Sequence, residues 1–144
     1  MEAAVQRKQS DRLIFWGIFL FLLGLIVGLI VPKLANPRMG LSSHIEGVLN
    51  GMFLIILGLI WHKLHIGVKW LKIAFLLAIY GTFLNWFSML IAAVFDAGKM
   101  LTIAANGQEG HPLVEGFITF SLLTLSLAMI AICIIVLVGL KGSK

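Results

Sequence analysis

Four long runs of apolar residues, joined by short polar connections, constrain this chain more than any other feature. Leu13 to Val31 carries no charge and ends at Pro32-Lys33. Further runs extend from about Val48 to Leu64, from Ile73 to Phe95 and from Gly116 to Leu140. About 20 apolar residues in a helix cross a hydrocarbon layer of ~30 Å, so each run is long enough to span a bilayer once. The composition agrees. The chain is 60% hydrophobic and only 12% charged, whereas soluble domains are roughly half apolar and about a quarter charged. A soluble globular enzyme and a disordered chain are both excluded. A disulfide scaffold is excluded too, because Cys133 is the only cysteine. The first run is too long for a signal-peptide core, and no small-residue cleavage site follows it. The expected fold is an all-α integral membrane protein, a four-transmembrane-helix bundle. Residues 1–144 would form a single four-span domain, with spans at about 13–31, 48–64, 73–95 and 116–140.

Charge placement sets the expected topology. Arg7, Lys8, Arg12, Lys63, Lys69, Lys72, Lys141 and Lys144 fall in the two tails and the second connection. Only Lys33, Arg38 and Lys99 fall in the other two connections. The positive-inside rule then places both termini in the cytoplasm. The net charge of +5 reads as topology, and no nucleic-acid partner is expected. Glu46, Asp96, Glu109 and Glu115 lie on the outer side in this arrangement.

Polar residues within or beside a span are costly in lipid and therefore informative. Ser43 followed three residues later by Glu46 reads as a capping box opening the second span. His44 then sits on the first helical turn, at the outer interface. At 100° per residue, Gly47, Gly51 and Gly58 lie within about 60° of His44. This bare stripe has two readings. It permits close approach of another helix, as small-xxx-small motifs do. It equally permits a flat macrocycle to lie on the backbone while His44 ligates its iron. Asn50 lies about 9 Å deeper than His44, and on the third span Gly81, Asn85, Ser88 and Ala92 share one face. Asn50 and Asn85 come within a turn of each other in depth, at ~10 and ~15 Å. They are expected either to form an interhelical hydrogen bond or to line a small-molecule pocket.

Other polar residues read as structural. His62 and His65 belong to the cytoplasmic interface, and Trp61 and Trp70 to the aromatic belt. Tyr80 and Thr82 lie near mid-span. Ser121, Thr124 and Ser126 can bond back to their own helix. Asn106-Gly107 marks a turn in the longest connection. Glu46-Gly47 and Glu115-Gly116 open two spans alike, a faint sign of a repeated two-helix unit. There is no nucleotide-binding loop, zinc motif or catalytic triad, and no acid at mid-span to relay protons through a transporter.

The run Asn36-Pro37-Arg38-Met39-Gly40-Leu41-Ser42-Ser43-His44-Ile45-Glu46-Gly47-Val48-Leu49-Asn50-Gly51 resembles the hydroxylaminobenzene mutases, small four-span bacterial membrane proteins. The similarity covers essentially the whole chain. More distantly, the same run looks like styrene oxide isomerase, which shares the His, five intervening residues and Asn-Gly. The resemblance implies that His44 is the axial ligand of haem b. It further implies that Asn50 contacts substrate, in a homotrimer with haem between subunits; with the haem on His44, the stripe of Gly47 and Gly51 would be its seat. Continued without a gap, it aligns Asn85 with an asparagine on that enzyme's third helix. Gly81 and Met89 replace an aspartate and a tyrosine there, so the residues depart from the epoxide isomerase.

The expected activity is rearrangement of hydroxylaminobenzene to 2-aminophenol in a bacterial inner membrane. This is a redox-neutral hydroxyl transfer in aromatic degradation, with haem as Lewis acid and Asn50 and Asn85 orienting the hydroxyl. The substrate would be a small aromatic hydroxylamine entering from the lipid bilayer. An aryl epoxide isomerase is the alternative. A non-catalytic haem or electron-transfer subunit is a third reading, in which His111 pairs with His44 on one iron.

Overall fold

The computed structural model describes residues 2–142. Helix α1 spans Glu2–Ile30 and is followed by a single 3-10 turn, Val31–Lys33. Helix α2 spans Pro37–Ile60, with a second such turn at Trp61–Lys63, and α3 spans Val68–Phe95. The short α4, Thr102–Ala105, lies in the longest connection, and α5 spans Pro112–Lys141. No strand occurs among the described residues. Four of these helices are long and apolar enough to cross a membrane.

Every long helix begins earlier than its apolar run, and for α1 and α2 the early start has a local cause. The first turns of α1 carry Gln6, Gln9 and Ser10, which serve the far end of α2. Gln6 donates to the carbonyls of Trp61 and Leu64 at 2.7 and 3.1 Å. Ser10 donates to the Gly58 carbonyl at 2.7 Å. Carbonyls at a helix C-terminus have no partner in their own helix, so these polar side chains are held in helix although they lie outside the apolar run.

Helix α2 starts not at the expected Ser43 but at Pro37, behind Asn36. The Asn36 side chain accepts from the Met39 amide at 3.3 Å, and proline suits the first helical position because its missing N–H would be unpaired anyway. The capping box is therefore overturned. Ser43 lies inside the helix, where its hydroxyl donates to the Trp86 carbonyl of α3 at 3.2 Å. Its removal from capping frees Glu46 for another task. Asn36 also donates to Asp96 at 2.7 Å and, through its backbone, to the Ala93 carbonyl at 2.9 Å. That ties the start of α2 to the end of α3.

The helices pack as two pairs, α1 on α2 and α3 on α5, joined by α2 against α3. Two glycine rows interlock in the first pair. A Cβ on Gly47 would lie 2.5 Å from the Gly24 Cα, and one on Gly51 would lie 2.7 Å from the Gly17 carbonyl oxygen. A Cβ on Gly24 would in turn meet the Val48 amide nitrogen at 2.8 Å. Backbones this close leave no space for a side chain on either helix, as in small-residue packing of membrane helices. The buried core runs through Leu13, Leu20, Leu54, Leu71 and Ile132. Trp61 belongs to it as well. Expected at the interface, it is fully buried and donates to Gln9 at 3.2 Å, an indole satisfied by α1. Trp70, by contrast, is exposed.

Candidate functional site

Seen down its axis, α2 has a buried face with two flanks and an outward face carrying exposed Ile45, Leu49, Met52 and Ile56. His44 lies on the flank beside α1. Its Nδ1 stands 2.8 Å from the carbonyl oxygen of Gly24. A carbonyl only accepts, so Nδ1 carries the proton and Nε2 keeps its lone pair. Nε2 has no partner among the described residues and is not sealed from the outside. The room for the ring comes from Gly28, where a Cβ would lie 2.7 Å from His44 Nδ1. Leu25, Gly28, Leu29, Val31, Pro32, Leu41 and His44 line a cleft of about 520 Å³. Apart from the imidazole its walls are apolar side chains and glycine.

Glu46, Asn50 and Asn85 form a cluster on the opposite flank, beside α3. Asn50 is one helical turn beyond Glu46, the spacing at which side chains on one helix meet. Its Nδ2 donates to Glu46 Oε2 at 3.1 Å. Asn85 reaches the same oxygen from α3, at 2.5 Å. The two asparagines expected to converge do so, through a shared carboxylate rather than through each other. Asn50 is buried and Glu46 half-buried. Glu46 is the residue that sequence reasoning missed as part of a site. Asn36-Pro37, seven residues upstream of Ser43-His44, was the available signal that the helix starts earlier and that Glu46 is not a cap.

Gly47 and Gly51 fall between these flanks and are covered by α1. The expectation that they seat a cofactor is corrected: their stripe is filled by the backbone of Gly17, Phe21 and Gly24, which leaves no gap for a macrocycle. The packing reading of the stripe prevails. His111 has a structural task in this fold. His111 caps α5, its Nδ1 accepting from the Leu113 amide at 3.3 Å, and α5 packs on α3 rather than on the α1–α2 pair.

The remaining polar residues are placed as follows. Tyr80 shares a 2.8 Å hydrogen bond with Thr124, while Thr82, Thr124 and Ser126 bond to carbonyls of their own helices. Ser121 does not; its buried hydroxyl has no partner among the described residues. His62 and His65 are exposed. Glu115 does not repeat the role of Glu46. Buried at the start of α5, it accepts from the amides of Lys99 and Gly110 at 3.1 and 2.7 Å and pins the long connection. No group of three or more metal-ligating side chains occurs among the described residues.

Comparison with known proteins adds a family to this geometry. The family model for styrene oxide isomerase matches residues 9–141. Hydroxylaminobenzene mutase HabB of Ectopseudomonas oleovorans is 51% identical over 135 residues, 93% of this chain and 82% of its own length. Hydroxylaminobenzene mutase HabA of the same organism is 46% identical over 125 residues, 86% of this chain and 93% of its own. No solved structure shows significant similarity to the chain. The match runs through all four long helices and through His44, Glu46, Asn50 and Asn85, and on that extent the chain belongs to the styrene oxide isomerase family and is an isomerase.

Proposed function

We propose that this isomerase is a membrane-embedded mutase converting hydroxylaminobenzene to 2-aminophenol, the hydroxyl passing from nitrogen to the ortho carbon with no net redox change. Similarity to two proteins named for that substrate supports the choice. The observation that carries it is the convergence of Asn50 and Asn85 on one carboxylate. A polar cluster costs free energy inside a span and so marks a candidate functional site. The charge bias supports an inner-membrane topology with both termini cytoplasmic.

His44 is the residue that would hold haem b. Metal-bound histidines commonly donate their other ring N–H to a carbonyl, and His44 does this with Gly24 while its ring lines an apolar cleft. Haem held there would supply a Lewis acid for the N–O bond. Asn50 and Asn85 hold the hydroxyl and amino groups of the substrate, fixing which ring carbon lies nearest the migrating oxygen. The apolar helix faces around them keep bulk water from competing for that carbon.

A second copy of the chain completes the site. His44 and the asparagine cluster lie on opposite flanks of α2 and cannot face one substrate within one protomer. Two different patches that meet between copies make a head-to-tail interface, which closes as a ring, and a homotrimer is the ring the family resemblance implies. Membranes supplied separately with hydroxylaminobenzene and styrene oxide test the reading. Formation of 2-aminophenol with little epoxide isomerisation supports it, and the reverse preference overturns it in favour of the epoxide isomerase.

A further inference from the structure

Glu46 has no assigned part in the reaction proposed above, yet both asparagines depend on it. A carboxyl oxygen that carries no proton only accepts hydrogen bonds, as Glu46 Oε2 does from both asparagines. Whatever faces Glu46 Oε2 must therefore be an N–H, and both amides turn Nδ2 toward it. Without such a partner, a carboxamide can flip to exchange its oxygen and nitrogen. With it, the flip of both side chains is fixed and each Oδ1 is turned away from Glu46.

The consequence is an excess of acceptors. Asn50 Oδ1, Asn85 Oδ1 and Glu46 Oε1 have no hydrogen-bond partner among the described residues, and none is sealed from the outside. Each Nδ2 has already committed one of its two hydrogens to Oε2. A ligand meeting this cluster finds three unpaired oxygens against two remaining N–H groups. Acceptors that a bound ligand covers without pairing become costly, so the cluster favours molecules that bring their own donors. An aryl hydroxylamine brings an N–H and an O–H, and an aminophenol brings three such hydrogens. An aryl epoxide brings none.

We infer that Glu46 is a positioning residue that locks Asn50 and Asn85 in one amide orientation and so selects donor-bearing aryl hydroxylamines over donor-free substrates. The inference rests on the mutase reading and deepens it. Sites built to hydrogen-bond an N–H or O–H discriminate strongly against analogues lacking it. The residue acts by holding the asparagines and by adding its own Oε1 to their acceptors, so its loss should weaken selection more than it weakens chemistry.

The test measures binding apart from turnover. Affinity of the purified protein is read by thermal shift for 2-aminophenol and for its fully methylated, donor-free derivative. In wild type the first is expected to bind about tenfold or more tighter. In Glu46→Leu the preference falls toward one, whereas Glu46→Gln, whose amide oxygen can still accept from both asparagines, restores most of it. For hydroxylaminobenzene, Glu46→Leu raises KM more than it lowers kcat. Absence of the preference in wild type overturns the inference. So does its survival in Glu46→Leu, or its loss in Glu46→Gln protein that remains folded. If wild type binds 2-aminophenol selectively but does not form it from hydroxylaminobenzene, the mutase reading fails while the acceptor cluster stands.

Discussion

His44 and Gly24 are joined across the α1–α2 interface by a 2.8 Å contact between the imidazole Nδ1 and the backbone carbonyl. The carbonyl belongs to the helix frame and cannot rotate away, so the ring is fixed with Nε2 outward. The account predicts a haem absorbance band in wild type that is absent from His44→Ala, together with loss of turnover. Gly28→Leu should weaken the band without removing the ligand, since a side chain there would occupy the imidazole's space. Spectra of both variants, with circular dichroism as a check on helix content, test this.

The glycine rows hold the first helix pair together. A Cβ at Gly24 or Gly47 comes up against the backbone of the facing helix, so the helices must separate. Gly24→Ala and Gly47→Ala should each cost about 1–3 kcal/mol, the usual penalty of overpacking. Gly116→Ala is the control, because a Cβ there meets nothing within 4 Å. Removing a helix-interior glycine should stabilise by ~0.5–1 kcal/mol. Equilibrium unfolding in detergent separates the two outcomes.

Asn50 and Asn85 share one acceptor, so their substitutions should not add. Each single change to Ala should lower kcat/KM for hydroxylaminobenzene by about 10- to 100-fold, the size expected for losing a hydrogen bond to a polar substrate group. The double variant should fall by less than the product of the two, as contacting residues do. Steady-state kinetics of the four proteins in the cycle measure the coupling.

Glu115 is buried and accepts from two backbone amides of the long connection. Glu115→Ala leaves those N–H groups unpaired, at a cost of about 1–3 kcal/mol. Hydrogen exchange should accelerate first at Lys99 and Gly110, while the core of α1 and α2 stays protected. Uniform acceleration through all four helices would show that the connection is not a separate unit.

Sequence and structure part company at identifiable residues. The four helices were legible because an apolar run of bilayer length has few other stable conformations. Their starts were not, since Gln6, Gln9 and Ser10 look like a solvated tail until the carbonyls of Gly58, Trp61 and Leu64 and the indole of Trp61 are seen beside them. The glycine stripe of α2 was visible but its occupant was not; Gly17 and Gly24 offered the matching row. The meeting of Asn50 with Asn85 followed from depth alone. Glu46 was obscured by a local motif, Ser-x-x-Glu, whose meaning depends on where the helix begins. The position of His44 relative to the asparagines follows from the wheel, and it becomes decisive only once α1 and α3 are known to cover different flanks.

The most direct test of the whole account is the mass of the 2-aminophenol formed when purified protein receives hydroxylaminobenzene in heavy-oxygen water. Intramolecular transfer predicts 2-aminophenol carrying only the substrate's own oxygen, and no product from His44→Ala. Failure to form 2-aminophenol, or product whose hydroxyl comes from the labelled water, would contradict it.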